Sequence, residues 1–562
     1  MESRLYGVAS DIDTIAIVSG GDCEKGGPVT GGLPIRLEDA DRDRIAALID
    51  RHRATLEDIK GFVDAEPGFP IVDGWVRREP AIVVHVERKV PASELLLEDL
   101  APRALEGVRV DLVTADPWRL LASNADTAGL HAALEGVAAA APTYKKLDDN
   151  PIDERLLLAR PILCHAGPDA GWPVLKQFLE GTRETLTVAM YDLNAAYVSK
   201  TLVETVRGGN VRLVLVWDSG MTPDETEIRR EIKAKLGARL DAWVVRTGGG
   251  YRFDSAYHEK VAVRDASSFW LSSGNWSKRS QPEIDPVGTP GEARGMYSKG
   301  NREWHVVVED AALSGLFEQY IRYDRDESEA EDTALGQPDP VLLPDLFVPI
   351  DALLPDDDLA LAAVVPVAPA RLPAHGRAYA VQPVLCPDNY IERITTLIKS
   401  ARRSLYLQFS YITYSSAPRD KPFQDLLDAI GTLSHRPDFD LRIIVGNNSA
   451  EDKVRILVQS GFNEARIRVQ SNVHNKGIIV DGKAVLISSA NWSSAGALRN
   501  RDAGIIVYDP DVASYYQKIF VDDWEQRARA NFGVPRPVRL AGPDDPTPPV
   551  MARVRWRDIV DD

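Results

Sequence analysis

The sequence predicts an α/β protein: two similar α/β sandwich units in tandem, preceded by a small N-terminal α/β module. Three observations carry this. The order helix, strand, helix, strand, helix, motif strands occurs twice, over roughly 155–320 and again over roughly 380–530. The strands are rich in Val and Ile and alternate with amphipathic helices, which is the pattern of layered α/β units. The chain has 562 residues, more than one hydrophobic core supports, so several domains are expected.

Residues 1–150 stand apart from the repeat. There LEDADRDRIAALIDRHRATLEDI (38–60) is an amphipathic helix, AIVVHVERKV (81–90) alternates like a strand, and VRVDLVTA (108–115) is a second strand. The first repeated unit is placed at 151–323. It has a helix ahead of a strand at 186–191, a helix near 195–207, a strand at 211–217 and a helix at 223–236. The second unit, 379–535, has the matching strand at 405–411, helix at 421–433, strand at 440–446 and helix at 451–461. Cys164 and Cys386 fall at corresponding places ahead of the two units. Between them, 324–378 is rich in Pro, Asp and Ala and reads as a linker or irregular wrap; 536–562 reads as a C-terminal tail.

Composition narrows the function classes. The formal net charge of −18 repels nucleic acid and anionic lipid at long range, which counts against general nucleic-acid coating but not against a local basic site. At 44% hydrophobic and 27% charged residues, the balance is that of a soluble globular protein. No apolar run approaches the ~18 residues of a membrane span. The acidic start MESRLYGVASDIDT lacks the basic and apolar regions of a signal peptide. Three cysteines, Cys23, Cys164 and Cys386, cannot build a disulfide framework in such a chain. These features lead to the expectation of a cytoplasmic, bacterium-like protein.

The chemistry lies in one pattern, H-x-K-x4-D-x6-S-S-x-N, which occurs twice. The first copy is His258, Lys260, Asp265, Ser272, Ser273 and Asn275; the second is His474, Lys476, Asp481, Ser488, Ser489 and Asn491. Both continue into Trp-Ser and then an Asn-Arg-acid triplet, Asn301-Arg302-Glu303 and Asn500-Arg501-Asp502. A lone H-x-K means little, whereas two copies in identical register are a strong signal. His and Lys two apart on a strand share a face. A second apolar strand then returns Ser-Ser-x-Asn beside them. Each unit thereby offers a base or nucleophile, a cation and neutral donors, a set suited to an anionic phosphate.

These motifs resemble the HKD motifs of the phospholipase D superfamily over roughly 155–320 and 380–530. The resemblance implies that the two units pack about a pseudo-twofold axis and pool their motifs. It implies a phosphodiesterase in which one histidine attacks phosphorus to give a phosphohistidine, while the other protonates the leaving alcohol and then activates water or an acceptor alcohol. By family tendency His258 is the nucleophile and His474 the acid, though either order fits the sequence. Lys260, Lys476, Asn275 and Asn491 would hold the non-bridging oxygens, with Ser273 and Ser489 adding donors to the substrate. Glu303 and Asp502 would orient the histidines, and Asp265 and Asp481 would be structural. No cofactor and no metal is implied. The family usually has Gly where Ser272 and Ser488 stand. The first copy also carries an insertion, SKRSQPEIDPVGTPGEARGMYSKG, between Trp276 and Asn301, expected as a loop near the mouth of the site.

Two fused motifs in one chain fit phospholipid as the substrate, with a metal-independent nuclease of the same superfamily as the alternative; there Lys278, Arg279, Arg294 and Lys299 of the insertion would track a strand. A further alternative makes residues 1–150 a protein-partner module recruiting an effector. A lipid-directed enzyme would meet the inner membrane face as a peripheral protein. With both motifs in one chain, a monomer can complete the site. His305 is expected as a strand residue near it, and His165 as an ordinary core residue. Trp276 and Trp492 are expected to pack behind the motifs.

Overall fold

In the computed structural model the described residues are 36–90, 101–123, 144–147, 151–219, 223–247, 251–253, 255–335, 344–349, 365–374, 376–447, 450–530, 538–542 and 545–554. Two eight-stranded sheets dominate them. Across the first, the strands are Leu240–Val245, Arg212–Asp218, Thr185–Met190, Lys260–Arg264, Ser268–Ser272, Glu303–Val308, Ile162–Gly167 and Ala370–Leu372. Across the second they are Ile467–Gln470, Asp440–Gly446, Ser404–Phe409, Lys476–Val480, Ala484–Ser488, Asp502–Tyr508, Tyr379–Cys386 and Leu156–Leu158. The two orders agree place for place, so the doubled pattern in the sequence is a doubled sheet. In each, the first three strands are mutually parallel and the rest antiparallel. Parallel neighbours need a long crossover. Helices Ala196–Gly208 and Pro223–Leu236 provide it in the first unit, and Lys421–Ser434 and Ala450–Gln459 in the second.

The last strand of each sheet is exchanged. Leu156–Leu158 leads into the first unit yet pairs with Tyr379–Cys386 of the second sheet. Ala370–Leu372 leads into the second unit yet pairs with Ile162–Gly167 of the first. The segment 324–378 is therefore more than a linker, and the tail more than a tail. Helix Ala311–Leu335 runs into the segment, and Asp345–Pro349 pairs with both Arg539–Ala541 and Met551–Val554 of the tail. Strands of three to five residues carry too little periodicity to announce themselves, and edge strands tolerate the prolines that mark a loop.

Inner faces of the two sheets share one core. Val261, Phe269, Leu271 and Val306 of the first pack with Ile479, Val485, Ile487 and Ile505 of the second. The approach is close: a Cβ on Gly477 would run into the Trp304 ring. Outer faces are covered by helices, so the strands are apolar on both sides. Helix Tyr390–Lys399 shows why: Tyr390, Ile394, Leu397 and Ile398 recur at helical spacing and are all buried. Helix Pro510–Gln526 begins with Pro510, behind an Asp509 side chain that accepts the N–H groups of Asp511 and Val512.

The N-terminal module has a four-stranded sheet in the order Phe62–Gly68, Ala81–Val86, Val108–Thr114, Ala104–Leu105. The helix expected over 38–60 is two helices, Asp39–Arg51 and Arg53–Glu57, broken at His52. This module sits on helix Ala450–Gln459 of the second unit. Buried Arg455 donates to Glu66 at 2.6 Å and also to Asp452, and the Phe69 N–H donates to the Gln459 side chain at 2.9 Å. Glu66, His85 and Asp452 lie close enough to offer three ligand atoms to an ion. Their charge is already met by Arg455 and Arg119, which ion-pair with the same carboxylates.

Candidate active site

The two motifs meet where the sheets face each other. Each histidine is held by the opposite half. The His258 N–H donates to the Arg501 carbonyl at 2.7 Å, and the His474 N–H to the Arg302 carbonyl at 3.2 Å. The side chains cross over in the same way. His258 Nδ1 donates to Asp502 Oδ1 at 2.7 Å, and His474 Nδ1 to Glu303 Oε1 at 2.6 Å. An ionised carboxylate can only accept, so with Glu303 and Asp502 ionised these contacts put the proton on Nδ1 and direct Nε2 away from the carboxylate. All four side chains are buried.

The lysines lie beside them. Lys476 Nζ is 2.7 Å from both His474 Nε2 and the His474 carbonyl, and it reaches the Ser273 carbonyl of the other half at 3.4 Å. Lys260 Nζ donates to the His258 carbonyl at 3.0 Å and lies 4.9 Å from the Tyr191 ring, which also meets the His258 ring edge-on. Asn275 and Asn491 are buried at the matching turns, and Asn491 accepts from the Ser410 hydroxyl at 2.8 Å.

The serines have another place than expected. The Ser273 hydroxyl donates to Glu303 at 2.5 Å and accepts from the Trp304 N–H at 3.0 Å. The Ser489 hydroxyl donates to Asp502 at 2.7 Å and accepts from the Ala503 N–H at 3.0 Å. Their protons are committed to the carboxylates, so these two side chains orient the histidine partners rather than face substrate. Asp265 and Asp481 lie at the far ends of the motif strands, at positive φ of 52° and 54°. Asp265 accepts from the N–H groups of Arg183, Glu184 and Thr185; Asp481 accepts from those of Arg402, Arg403 and Ser404. Both tie a loop to the start of a neighbouring strand.

The carboxylates differ in charge. Burial pushes Glu303 up, but His474, Lys476 and Ser273 together hold it below the usual carboxylate range. Burial wins at Asp502, pushing it up to about 7 against the pull of Lys260, Ser489, Lys476 and Arg501. Behind Asp502, Arg501 Nε and Nη2 donate to Asp324 at 2.6 and 2.7 Å, and Nη1 donates to Asp388 at 2.5 Å. Arg302 mirrors this, with Asp523 at 2.9 Å and Asp169 at 2.5 Å. One group breaks the mirror: buried Glu259 lies 3.9 Å from Arg501, where the second copy has Asn475. Burial, the largest influence, pushes Glu259 up to about 8.

Sequence reasoning missed the four aspartates around the arginines. A signal existed: Asp169 and Asp388 each follow a proline just after Cys164 or Cys386 in the repeat, within His165-Ala166-Gly167-Pro168-Asp169 and Pro387-Asp388. The insertion after Trp276 packs Ile284, Met296 and Tyr297 into a small core. Arg279 donates to Asn472 at 2.7 Å and to the Ser298 carbonyl at 3.2 Å, bracing the loop that leads to His474. Lys278, Arg294 and Lys299 are exposed. Trp276 and Trp492 are fully buried in the outer cores.

The family model for the cardiolipin synthase, PLD-like domain matches residues 394–524. A mitochondrial cardiolipin hydrolase from Xenopus laevis is 27% identical over 166 residues, spanning 27% of this chain and 74% of that protein. Among solved structures, phosphatidylserine synthase from Haemophilus influenzae Rd KW20 superposes with a TM-score of 0.40 at 12% identity, over 71% of this chain and 91% of that one. Nuc, a phospholipase D family member from Salmonella typhimurium, gives 0.22 at 22% identity over 27% of this chain and 98% of that one. At these TM-scores the structural likenesses add nothing to what the strand orders show. In its paired motifs and in these sequence matches, the chain is similar to proteins of the phospholipase D superfamily.

Proposed function

We propose that the chain cleaves or transfers a phospholipid phosphodiester through a phosphohistidine formed in one site shared by its two halves. The observation that carries this reading is the exchange of carboxylates, which makes each histidine depend on the opposite half.

In the first step Nε2 of His258 attacks phosphorus, and the bond to the leaving alcohol breaks as His474 gives that oxygen its proton. In the second, His474 takes a proton from water or an acceptor alcohol, whose oxygen attacks phosphorus and breaks the P–N bond. The charge difference supports this order. Ionised Glu303 puts a full negative charge beside His474, the group that must carry a proton to the leaving oxygen. Asp502, raised to about 7, pulls less strongly on a second proton at His258, whose Nε2 must be bare to attack, and once ionised it stabilises the cation that forms. Lys260, Lys476, Asn275 and Asn491 would hold the non-bridging oxygens.

Phospholipid is favoured because both the matching family model and the similar hydrolase are named for cardiolipin chemistry. No helix of the described residues is long and apolar enough to cross a membrane, so the chain would meet lipid as a peripheral protein. The test incubates the purified full chain with EDTA and either phosphatidylcholine or phosphatidylglycerol vesicles, or single- and double-stranded DNA. Phosphatidic acid with intact DNA is the expected result. Cut DNA with intact lipid would replace the lipid reading by a nuclease.

A further inference from the structure

Below the first motif lies a histidine that the proposed chemistry does not use. His305 is fully buried between two rings, with His165 stacked at 4.8 Å and Trp270 at 5.9 Å. Its Nδ1 lies 2.6 Å from the hydroxyl of Ser272, and that hydroxyl also accepts the Gly274 N–H at 2.7 Å. With one lone pair so engaged, Ser272 still has its proton to give to Nδ1, and in that pairing the imidazole proton falls on Nε2. The turn these bonds shape carries Ser273, whose hydroxyl holds Glu303 and whose carbonyl receives Lys476.

The second motif lacks this arrangement. Ser488 likewise accepts the Ala490 N–H, but Gly504 stands in the place of His305, and Ser488 donates to the Ala503 carbonyl at 3.2 Å. The imidazole is thus an addition to one half of a repeated design. On its far side, His305 Nε2 and both polar atoms of the Gln281 carboxamide are buried without partners among the described residues. They converge on Gly171, where a Cβ would lie 2.9 Å from Gln281 Oε1 and 3.2 Å from His305 Nε2. Two facing polar groups across a glycine suit one bridging water, which would fix the ring from the side of the insertion.

We propose that His305 is a positioning residue: through Ser272 it sets the turn 272–275 that presents Glu303 to His474 and receives Lys476. Burial drives its pKa down to about 3, so it acts as a neutral hydrogen-bond acceptor throughout the working range. This proposal rests on the phosphodiesterase reading, and its test separates the two.

Turnover of bis(p-nitrophenyl) phosphate by the full chain is the first readout. His305→Leu is expected to lower kcat about tenfold or more while KM stays within about twofold, since misplacement by an ångström costs rate before binding. His305→Asn, whose amide oxygen can occupy the place of Nδ1 but not that of Nε2, should recover most of the loss. Ser272→Ala removes the same bond by one atom and should match His305→Leu, with the double variant no slower than either. Wild-type kcat in Ser272→Ala, or equal loss in His305→Leu and His305→Asn, overturns the proposal. The second readout is amide exchange of the peptide covering 272–275, which needs no turnover. It should speed up in His305→Leu and Ser272→Ala and return toward wild type in His305→Asn. Unchanged exchange in the first two overturns the proposal. An inactive wild-type chain with the expected exchange pattern would instead count against the phosphodiesterase reading.

Discussion

His258 Nδ1 lies 2.7 Å from Oδ1 of Asp502, a residue 244 positions away in the other half of the chain. With His474 and Glu303 related in the same way, neither half holds a complete set. His258→Ala and His474→Ala should therefore each remove nearly all turnover, and the double variant should be no worse, because groups that act as a unit are not additive. Rates on a soluble phosphodiester check this. Near-wild-type turnover by either single variant would end the shared-site mechanism.

The unequal carboxylates predict an asymmetric pH profile. Asp502 gains a proton as pH falls through about 7, losing the negative charge that stabilises cationic His258 during attack. Glu303, held low, stays ionised there. The acid limb of kcat/KM should thus lie near 7. It should disappear in Asp502→Asn, and persist in Glu303→Gln at lower rate. A limb surviving in Asp502→Asn would assign it elsewhere.

Stability should follow pH in the opposite sense. Asp324, Asp502 and Glu259 are raised to about 6, 7 and 8, with burial the largest cause at each. The folded chain then binds protons that the unfolded chain has released. These groups favour the folded state fully at pH below the ordinary carboxylate range, and that contribution is lost as pH rises through 6 to 8. Thermal melts should fall between pH 5.5 and 8.5, and Glu259→Gln should flatten the slope.

Arg302 and Arg501 each bridge two buried aspartates across the junction of the halves. Arg501→Leu would leave Asp324 and Asp388 without their cation, at a cost of about 3–5 kcal/mol. Urea unfolding should show that loss, with a smaller one for Arg501→Lys, which keeps the charge but not the fork.

Asp265 and Asp481 sit at the opposite end of the motif strands from the histidines and bind only backbone N–H groups among the contacts described above. Alanine at either should cost about 1–2 kcal/mol, comparable to losing a helix cap. kcat should be nearly unchanged at temperatures where the variant stays folded. A collapse of kcat without loss of stability would give these residues a role in chemistry.

Much of this was legible in the sequence because repetition made it so. Two copies of H-x-K-x4-D in one register mark the motif strands, and Val/Ile runs such as LRIIVGNN mark their neighbours. The Asn-Arg-acid triplets also stand out, and the acids prove to sit on the opposite histidines. What the arginines bind was hidden, since Asp324 and Asp523 lie inside long helices whose surface positions carry charge anyway. Ser273 and Ser489 were misplaced because a serine beside a phosphate-type motif reads as a donor to substrate. Only the fold shows a carboxylate reaching it first. His305 was expected on a strand near the site, but its bond to Ser272 was hidden, as the second copy has glycine there.

The borrowed edge strands have a practical consequence. Cutting the chain between Leu335 and Val365 would leave Leu156–Leu158 with the first fragment and Ala370–Leu372 with the second. Each fragment would then keep a strand belonging to its counterpart's sheet and expose an unpaired edge of its own. Co-expressed, the pieces should recombine into a working pair; expressed singly, each should aggregate. The molecule is thus a natural template for a split reporter whose signal appears only when two fused baits bring the fragments together.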